Sequence, residues 1–144
     1  MVWDDTGWSK DPSGNVICGY LLWWKGRDMI KFGQLYLNNG IRNEMQLIPE
    51  EWIELSTKAS GAGPQLTFAN RVEYGLHWWI GEHNVNGKII KAYYAVGNGG
   101  GYIINIPEFS TTVVFQAAEW NSNPIHTTIE VELMDNYILP ALMN

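Results

Sequence analysis

The chain has 144 residues, 46% of them hydrophobic and 17% charged, with a formal net charge of −6. That length suits one domain with a sizeable buried core, and the composition excludes a disordered chain. The acidic balance, with no cluster of Lys or Arg, excludes nucleic-acid binding, which relies on basic patches set against phosphates. A single cysteine, Cys18, leaves no intrachain disulfide to form. No apolar run reaches the ~20 residues needed to span a bilayer, so no membrane span is expected. Met1-Val2-Trp3-Asp4-Asp5 offers neither a basic region nor an apolar one, so no signal peptide is expected there. Eight Trp and seven Tyr are unusual, but large aromatic surfaces serve cores, clefts and interfaces alike.

In chain order, residues 4–19 are dense in Gly, Pro, Asp, Ser and Asn and read as turns. From Gly26 a helix is expected, capped by Asp28, with Met29, Phe32, Tyr36 and Leu37 on one face and Asn38-Asn39-Gly40 ending it. A second helix starts near Pro49, whose fixed φ suits the first turn, with Glu50 and Glu51 matching its dipole and Trp52 and Leu55 facing inward. Residues 59–65 form a small-residue loop. Strands are then expected from Tyr74 to Ile80 and from Lys88 to Val96, joined through the hairpin pair Asn86-Gly87. Two more follow, Tyr102 to Ile106 and Thr111 to Ala118, with a turn at Pro107-Glu108. A last helix begins at about Pro124, with Ile125, Ile129, Leu133 and Tyr137 as its buried stripe.

This order predicts one α+β domain, residues 1–144, with an antiparallel sheet of about four strands flanked by helices, economically packed on one face. No metal site is expected, since His77 and His83 match no common ligand spacing and His126 stands apart. No cofactor is expected either: the Gly97–Gly101 run is followed by no Lys-Ser/Thr pair and lacks the dinucleotide-binding spacing. Two readings of that run stay open. It is a flexible turn whose glycines supply positive φ, or a strand edge whose backbone lies against a substrate where any Cβ obstructs approach.

A search for a nucleophile is negative. None of Ser9, Ser13, Ser56, Ser60, Ser110 and Ser122 has a Lys three residues on or sits in G-x-S-x-G. Tyr36-x-Asn38 matches a Tyr-x-Asn pattern but falls inside a predicted helix, and Cys18 reads as a small apolar residue rather than a catalytic thiol.

Three blocks, in this order, carry a family resemblance: Arg27-Asp28-Met29-Ile30-Lys31-Phe32-Gly33-Gln34-Leu35-Tyr36-Leu37-Asn38-Asn39-Gly40, then Ile48-Pro49-Glu50-Glu51-Trp52-Ile53 with Tyr74-Gly75-Leu76-His77-Trp78-Trp79, then Gly97-Asn98-Gly99-Gly100-Gly101-Tyr102-Ile103-Ile104-Asn105-Ile106-Pro107. The sequence from about Trp8 to its end resembles the C-terminal portion of the serine β-lactamase-like hydrolases. That group includes class C β-lactamases, penicillin-binding carboxypeptidases, esterases and 6-aminohexanoate-oligomer hydrolases.

The resemblance implies the C-terminal part of the α/β lobe of a two-lobe enzyme that works through an acyl-enzyme on an amide, ester or β-lactam. In such enzymes Ser-x-x-Lys supplies nucleophile and base, and a later Tyr-x-Asn assists proton transfer. Both lie upstream of the region matched here, so no catalytic residue is assigned in this chain and it is expected to be inactive alone. Asn98-Gly99-Gly100 matches the third element, Lys-Thr-Gly, and Gly101 matches the position whose backbone N–H enters the oxyanion hole. Two departures stand out. Asn98 replaces a cation, which favours a neutral amide or ester, and Leu22-Trp23-Trp24-Lys25-Gly26 replaces the usual approach to the first helix. The resemblance also implies missing upstream strands, hence an open sheet edge able to pair with another copy. The alternative function is a non-catalytic module that binds peptide or carbohydrate on its aromatic-rich sheet.

Overall fold

The computed structural model describes residues 8–17, 24–60, 71–121 and 123–144. Cys18, Leu22, Trp23, Ser122 and most of the 59–65 loop lie outside the described residues. Helix α1 (Gly26–Leu37) leads into a short hairpin, β1 (Ile41–Arg42) and β2 (Met45–Gln46), and then helix α2 (Glu50–Ser56). Five strands follow: β3 (Arg71–Tyr74), β4 (Trp79–Val85), β5 (Lys88–Gly97), β6 (Gly101–Ile106) and β7 (Thr111–Phe115). They form one antiparallel meander in the order β3-β4-β5-β6-β7. The chain ends in helical turns running from α3 (Asn123–Thr127) through a π-helix (Thr128–Ile138) to α4 (Leu139–Met143). The fold is α+β, as the element order implies. Among the described residues no helix is long and apolar enough to cross a membrane.

Helices cover both faces of the sheet, not one. Side chains alternate along a strand, and β6 is buried on both sides. Tyr102, Ile104 and Ile106 join Val85, Ile90, Ala92 and Tyr94 in a core with Ile129, Met134 and Leu139 of the terminal helix. Ile103 and Tyr93 point the other way, into a second core with Tyr36, Ile53 and Trp78, against which Met29, Phe32 and Leu37 of α1 pack. A strand apolar at consecutive positions needs a cover on each face.

Contact between α1 and the sheet depends on Gly33. A Cβ there would lie 2.8 Å from Ile103 Cγ2 and 2.9 Å from Asn105 Oδ1. Buried Asn105 uses the close approach: its Nδ2 donates to the Gly33 carbonyl at 3.1 Å, and its Oδ1 accepts from Thr112 Oγ1 at 2.7 Å. Burial also pushes the Tyr93 phenol, on the same face, up to about 12.

Several local expectations are corrected. Lys25, not Asp28, precedes the first helix; Asp28 sits inside the first turn, where pairing with Lys31 at 2.7 Å holds its carboxyl below the usual range. Pro49 stands just before α2 rather than in its first turn. In α2, Ile53 and Ser56 are buried while Trp52 and Leu55 are exposed. Both pairs are spaced i, i+3, so the sequence cannot choose between the faces. The single strand expected from Tyr74 to Ile80 is broken at residues 75–78: Gly75 N–H bonds Trp78 O, Leu76 N–H bonds Ser56 O, and His77 adopts φ 66°. The break makes a hairpin of β3 and β4, giving five strands instead of four. The Asn86-Gly87 hairpin forms as expected, with φ of 53° and 83°.

The terminal stripe also differs. Ile129 is buried, but Leu133 is half-buried and Tyr137 is 69% exposed. The fully buried apolar residues are Ile129, Met134 and Leu139, five apart, while Ile125 and Ile138 pack half-buried against the same core. A π-helix bonds i to i+5, so its inward face advances by about five residues where an α-helix advances by about four.

Candidate functional site

The glycine run forms the connection between β5 and β6. Gly97 pairs with Gly101 across the two strands, Gly100 N–H bonds Gly97 O at 3.0 Å, and Gly100 takes φ 80°, where a Cβ is strained. Residues 117–121, which follow β7, pass beside this turn as a strap. Glu119 N–H donates to Gly99 O at 3.2 Å, Asn98 Nδ2 donates to Asn121 Oδ1 at 2.9 Å, and Asn121 N–H donates to Asn98 Oδ1 at 3.2 Å. A Cβ on Gly99 would meet the Trp120 ring, and one on Gly100 would meet Ile125 and Ala117 at about 3 Å. At Gly101 an added Cβ would meet nothing within 4 Å among the described residues. Asn98, Gly99, Gly100 and Gly101 are thus brought together as one rigid turn.

The strap leads into α3, which Tyr102 ties to the sheet. The Tyr102 hydroxyl donates to Glu130 Oε1 at 2.6 Å. A phenol has one proton, so the contact between Tyr102 Oη and His126 Nδ1 has the imidazole N–H donating. The chain His126→Tyr102→Glu130 therefore links the half-buried start of the terminal helix, through the residue that follows Gly101, to buried Glu130 on the π-helix.

A second buried network lies further along the same face. Tyr94 hydroxyl bonds His83 Nε2, and His83 Nδ1 bonds Asp135 Oδ1 on the π-helix. Burial holds the His83 imidazole below its ordinary pKa, with the Asp135 hydrogen bond and charge acting the other way. His83 is neutral in this setting, with the proton on Nδ1 and Nε2 accepting from the phenol. Sequence reasoning missed both networks because it tested the histidines for metal spacing alone. A usable signal was present: His83 shares strand parity with Val85 and Gly81, which marks it as inward-facing.

The other candidates do not converge on the glycine turn. His77 lies in the bend before β4, while His83 and His126 belong to separate networks. Tyr36 is buried among Phe32 and Trp78, and Asn38 terminates α1, so Tyr36-x-Asn38 is part of a core edge. Ser56 and Ser60 hydroxyls donate to the Ile53 and Tyr74 carbonyls.

No protein-family model matches the chain. No curated protein matches it either. Among solved structures, the chain is similar to the "Putative 6-aminohexanoate-dimer hydrolase from Bacillus anthracis", with a TM-score of 0.59 and 30% identity over 83% of this chain. The match spans 30% of that protein's length. The likeness gives this chain a serine-hydrolase-like fold, and the five-stranded sheet with its helices agrees with the C-terminal part of a β-lactamase-like α/β lobe.

Proposed function

We propose that this chain forms part of a serine hydrolase acting on amide, ester or β-lactam bonds through an acyl-enzyme, and that the β5–β6 turn is one wall of its cleft. The observation that carries this reading is the turn itself, clamped by the 117–121 strap and, among the described residues, unobstructed at Gly101. In this role Gly101 N–H is one donor of the oxyanion hole, a contribution worth roughly 3–4 kcal/mol in the transition state when a nucleophile stands beside it. Asn98 is exposed on the adjoining wall, and Gly99 and Gly100 back it, buried against Trp120, Ile125 and Ala117. With Asn98 neutral, the wall suits an uncharged amide or ester, and the 6-aminohexanoate dimer named for the Bacillus anthracis protein contains such an amide.

The nucleophile and its base, in this reading, come from Ser-x-x-Lys outside these 144 residues. Intact-mass spectrometry after incubation with penicillin, and separately with a fluorophosphonate, tests it. No adduct is expected on this chain, and a stoichiometric adduct on one serine overturns the assignment. The same reading predicts that the outer edge of β7, which no strand pairs among the described residues, associates with a second copy. A clean monomer in size-exclusion chromatography at high concentration argues against that pairing.

A further inference from the structure

The end of α1 and the β1–β2 hairpin border an open groove of about 620 Å³. The helix end contributes Gln34 and Asn38, four residues apart on one face, and the hairpin contributes Arg42 and Asn43, with Leu35 and Ile41 as the apolar lining. Among the described residues, none of the four polar side chains is spent on a hydrogen bond or ion pair within the chain. The backbone that carries them is fixed. Gly40 N–H bonds Leu35 O at 2.8 Å, Ile41 N–H bonds Asn38 O at 3.0 Å, and Gln46 Nε2 donates to Asn39 O at 2.7 Å. Gly40, at φ 78°, admits the Ile48 carbonyl where a Cβ would clash. These walls are therefore set before any ligand arrives, which lowers the entropy lost on binding. None of the lining residues is acidic, although the chain carries a net charge of −6. The last carbonyls of α1, on Gln34, Leu35 and Tyr36, already accept from Asn38, Gly40 and Asn39, which weakens their repulsion of a nearby anion.

We propose that this groove binds the C-terminal segment of an extended peptide, with its terminal carboxylate on Arg42 and its backbone amides on Gln34 and Asn38. Residues four apart on a helix are separated by about 6 Å along the axis, close to the two-residue repeat of about 6.6 Å in an extended chain. Alternate peptide groups of the ligand thus meet successive side-chain amides. A primary amide both donates and accepts, which is what a peptide unit requires. The Arg42 guanidinium presents a planar fork that fits a carboxylate through two bonds. Lys31, at the other end of the lining, is already paired with Asp28 at 2.7 Å, so Arg42 is the cation that remains. Ile41, 44% exposed, offers apolar surface to a ligand side chain. The groove shares no residue with the glycine turn, and this proposal stands apart from the cleft-wall reading.

The test is a set of nitrogen-15 NMR titrations of the whole chain. N-acetyl-trialanine is expected to move the side-chain amide signals of Gln34 and Asn38 and the Arg42 Nε–H together and saturably. The same peptide with a C-terminal carboxamide is expected to bind roughly tenfold more weakly for want of the charge-assisted pair. Arg42→Gln should erase that preference, and Arg42→Lys should keep only part of it, because an ammonium lacks the fork. Gln34→Ala should weaken both peptides alike and leave the preference intact. Gln34 and Arg42 are exposed, so these variants keep the fold. Equal binding of the acid and the carboxamide, or an unchanged preference in Arg42→Gln, overturns the carboxylate placement and the proposal with it. Acetate or inorganic phosphate bound as tightly as the peptide would make the groove a simple anion site and overturn the peptide. Tighter binding of the linear dimer of 6-aminohexanoate, whose backbone repeat is longer, overturns the spacing argument, and no response to N-acetyl-trialanine overturns the whole proposal.

Discussion

The phenol of Tyr94 reaches His83 on the neighbouring strand by lying across Gly81. Tyr94 sits opposite Trp79, and Gly81 and His83 follow on the same face of β4 at intervals of two. A Cβ on Gly81 would come within 2.6 Å of the Tyr94 hydroxyl oxygen, so the glycine is the notch through which the hydrogen bond is made. Gly81→Ala is expected to destabilise the fold by about 1–3 kcal/mol through overpacking. Tyr94→Phe is expected to cost about 1–3 kcal/mol by leaving a buried imidazole nitrogen without its donor. In urea unfolding the double variant should lose less than the sum, because the alanine already displaces the phenol. Strict additivity would show that the two residues act independently.

The pH dependence follows from the direction of the His83 shift. Burial holds the folded pKa below the ordinary 6.5, so near and below that value the unfolded chain binds a proton that the native one resists. The stability His83 contributes is complete above about pH 6.5 and is lost as the pH falls through that value toward the folded pKa. The urea midpoint should fall between pH 7.5 and pH 5, with a flatter profile in His83→Gln. Asp135→Asn removes the charge that favours the imidazolium, so the loss should extend to lower pH. A His83→Gln profile parallel to that of the parent would exclude His83 as the titrating group.

Met134→Ala is expected to cost about 2–5 kcal/mol, whereas Tyr137→Ala should change stability by no more than about 0.5 kcal/mol. Leu133→Ala, at a half-buried position, should fall between them. These values test the five-residue spacing of the terminal helix, because an α-helical phase with Leu133 and Tyr137 inward reverses the order.

Gly33→Ala should lift α1 from the sheet, and Asn105→Ala should leave the Gly33 carbonyl and the Thr112 hydroxyl unsatisfied, each costing about 1–3 kcal/mol. Hydrogen exchange should then accelerate in α1 more than in β4 and β5. Uniform acceleration across the sheet would show that this contact supports the whole domain instead of docking one helix.

Much of the fold was legible from local chemistry. Asn86-Gly87 takes the positive φ that its hairpin requires, Asn38-Asn39-Gly40 closes α1, and Met29, Phe32, Tyr36 and Leu37 share the face that packs. The failures lie where two local solutions are equally good. Ile53 with Ser56 and Trp52 with Leu55 have the same spacing, and only contact with the rest of the domain selects the first pair. The residues around Gly75 read as one strand until the Ser56 carbonyl, distant in sequence, accepts from Leu76 and the chain bends.

The candidate site divides in the same way. The sequence by itself determined that Gly97–Gly101 is a glycine-dense link between strands, since backbone freedom and the absence of side chains are properties of the residues themselves. Only the tertiary structure decided that Asn98 faces Asn121, that Trp120 covers Gly99, and that Tyr94, His83 and Asp135 form one buried chain. Those partners stand 11 to 52 residues apart, and their hydrogen bonds depend on strand register and helix phase. Both are set by how the whole core packs, so no local pattern encodes them.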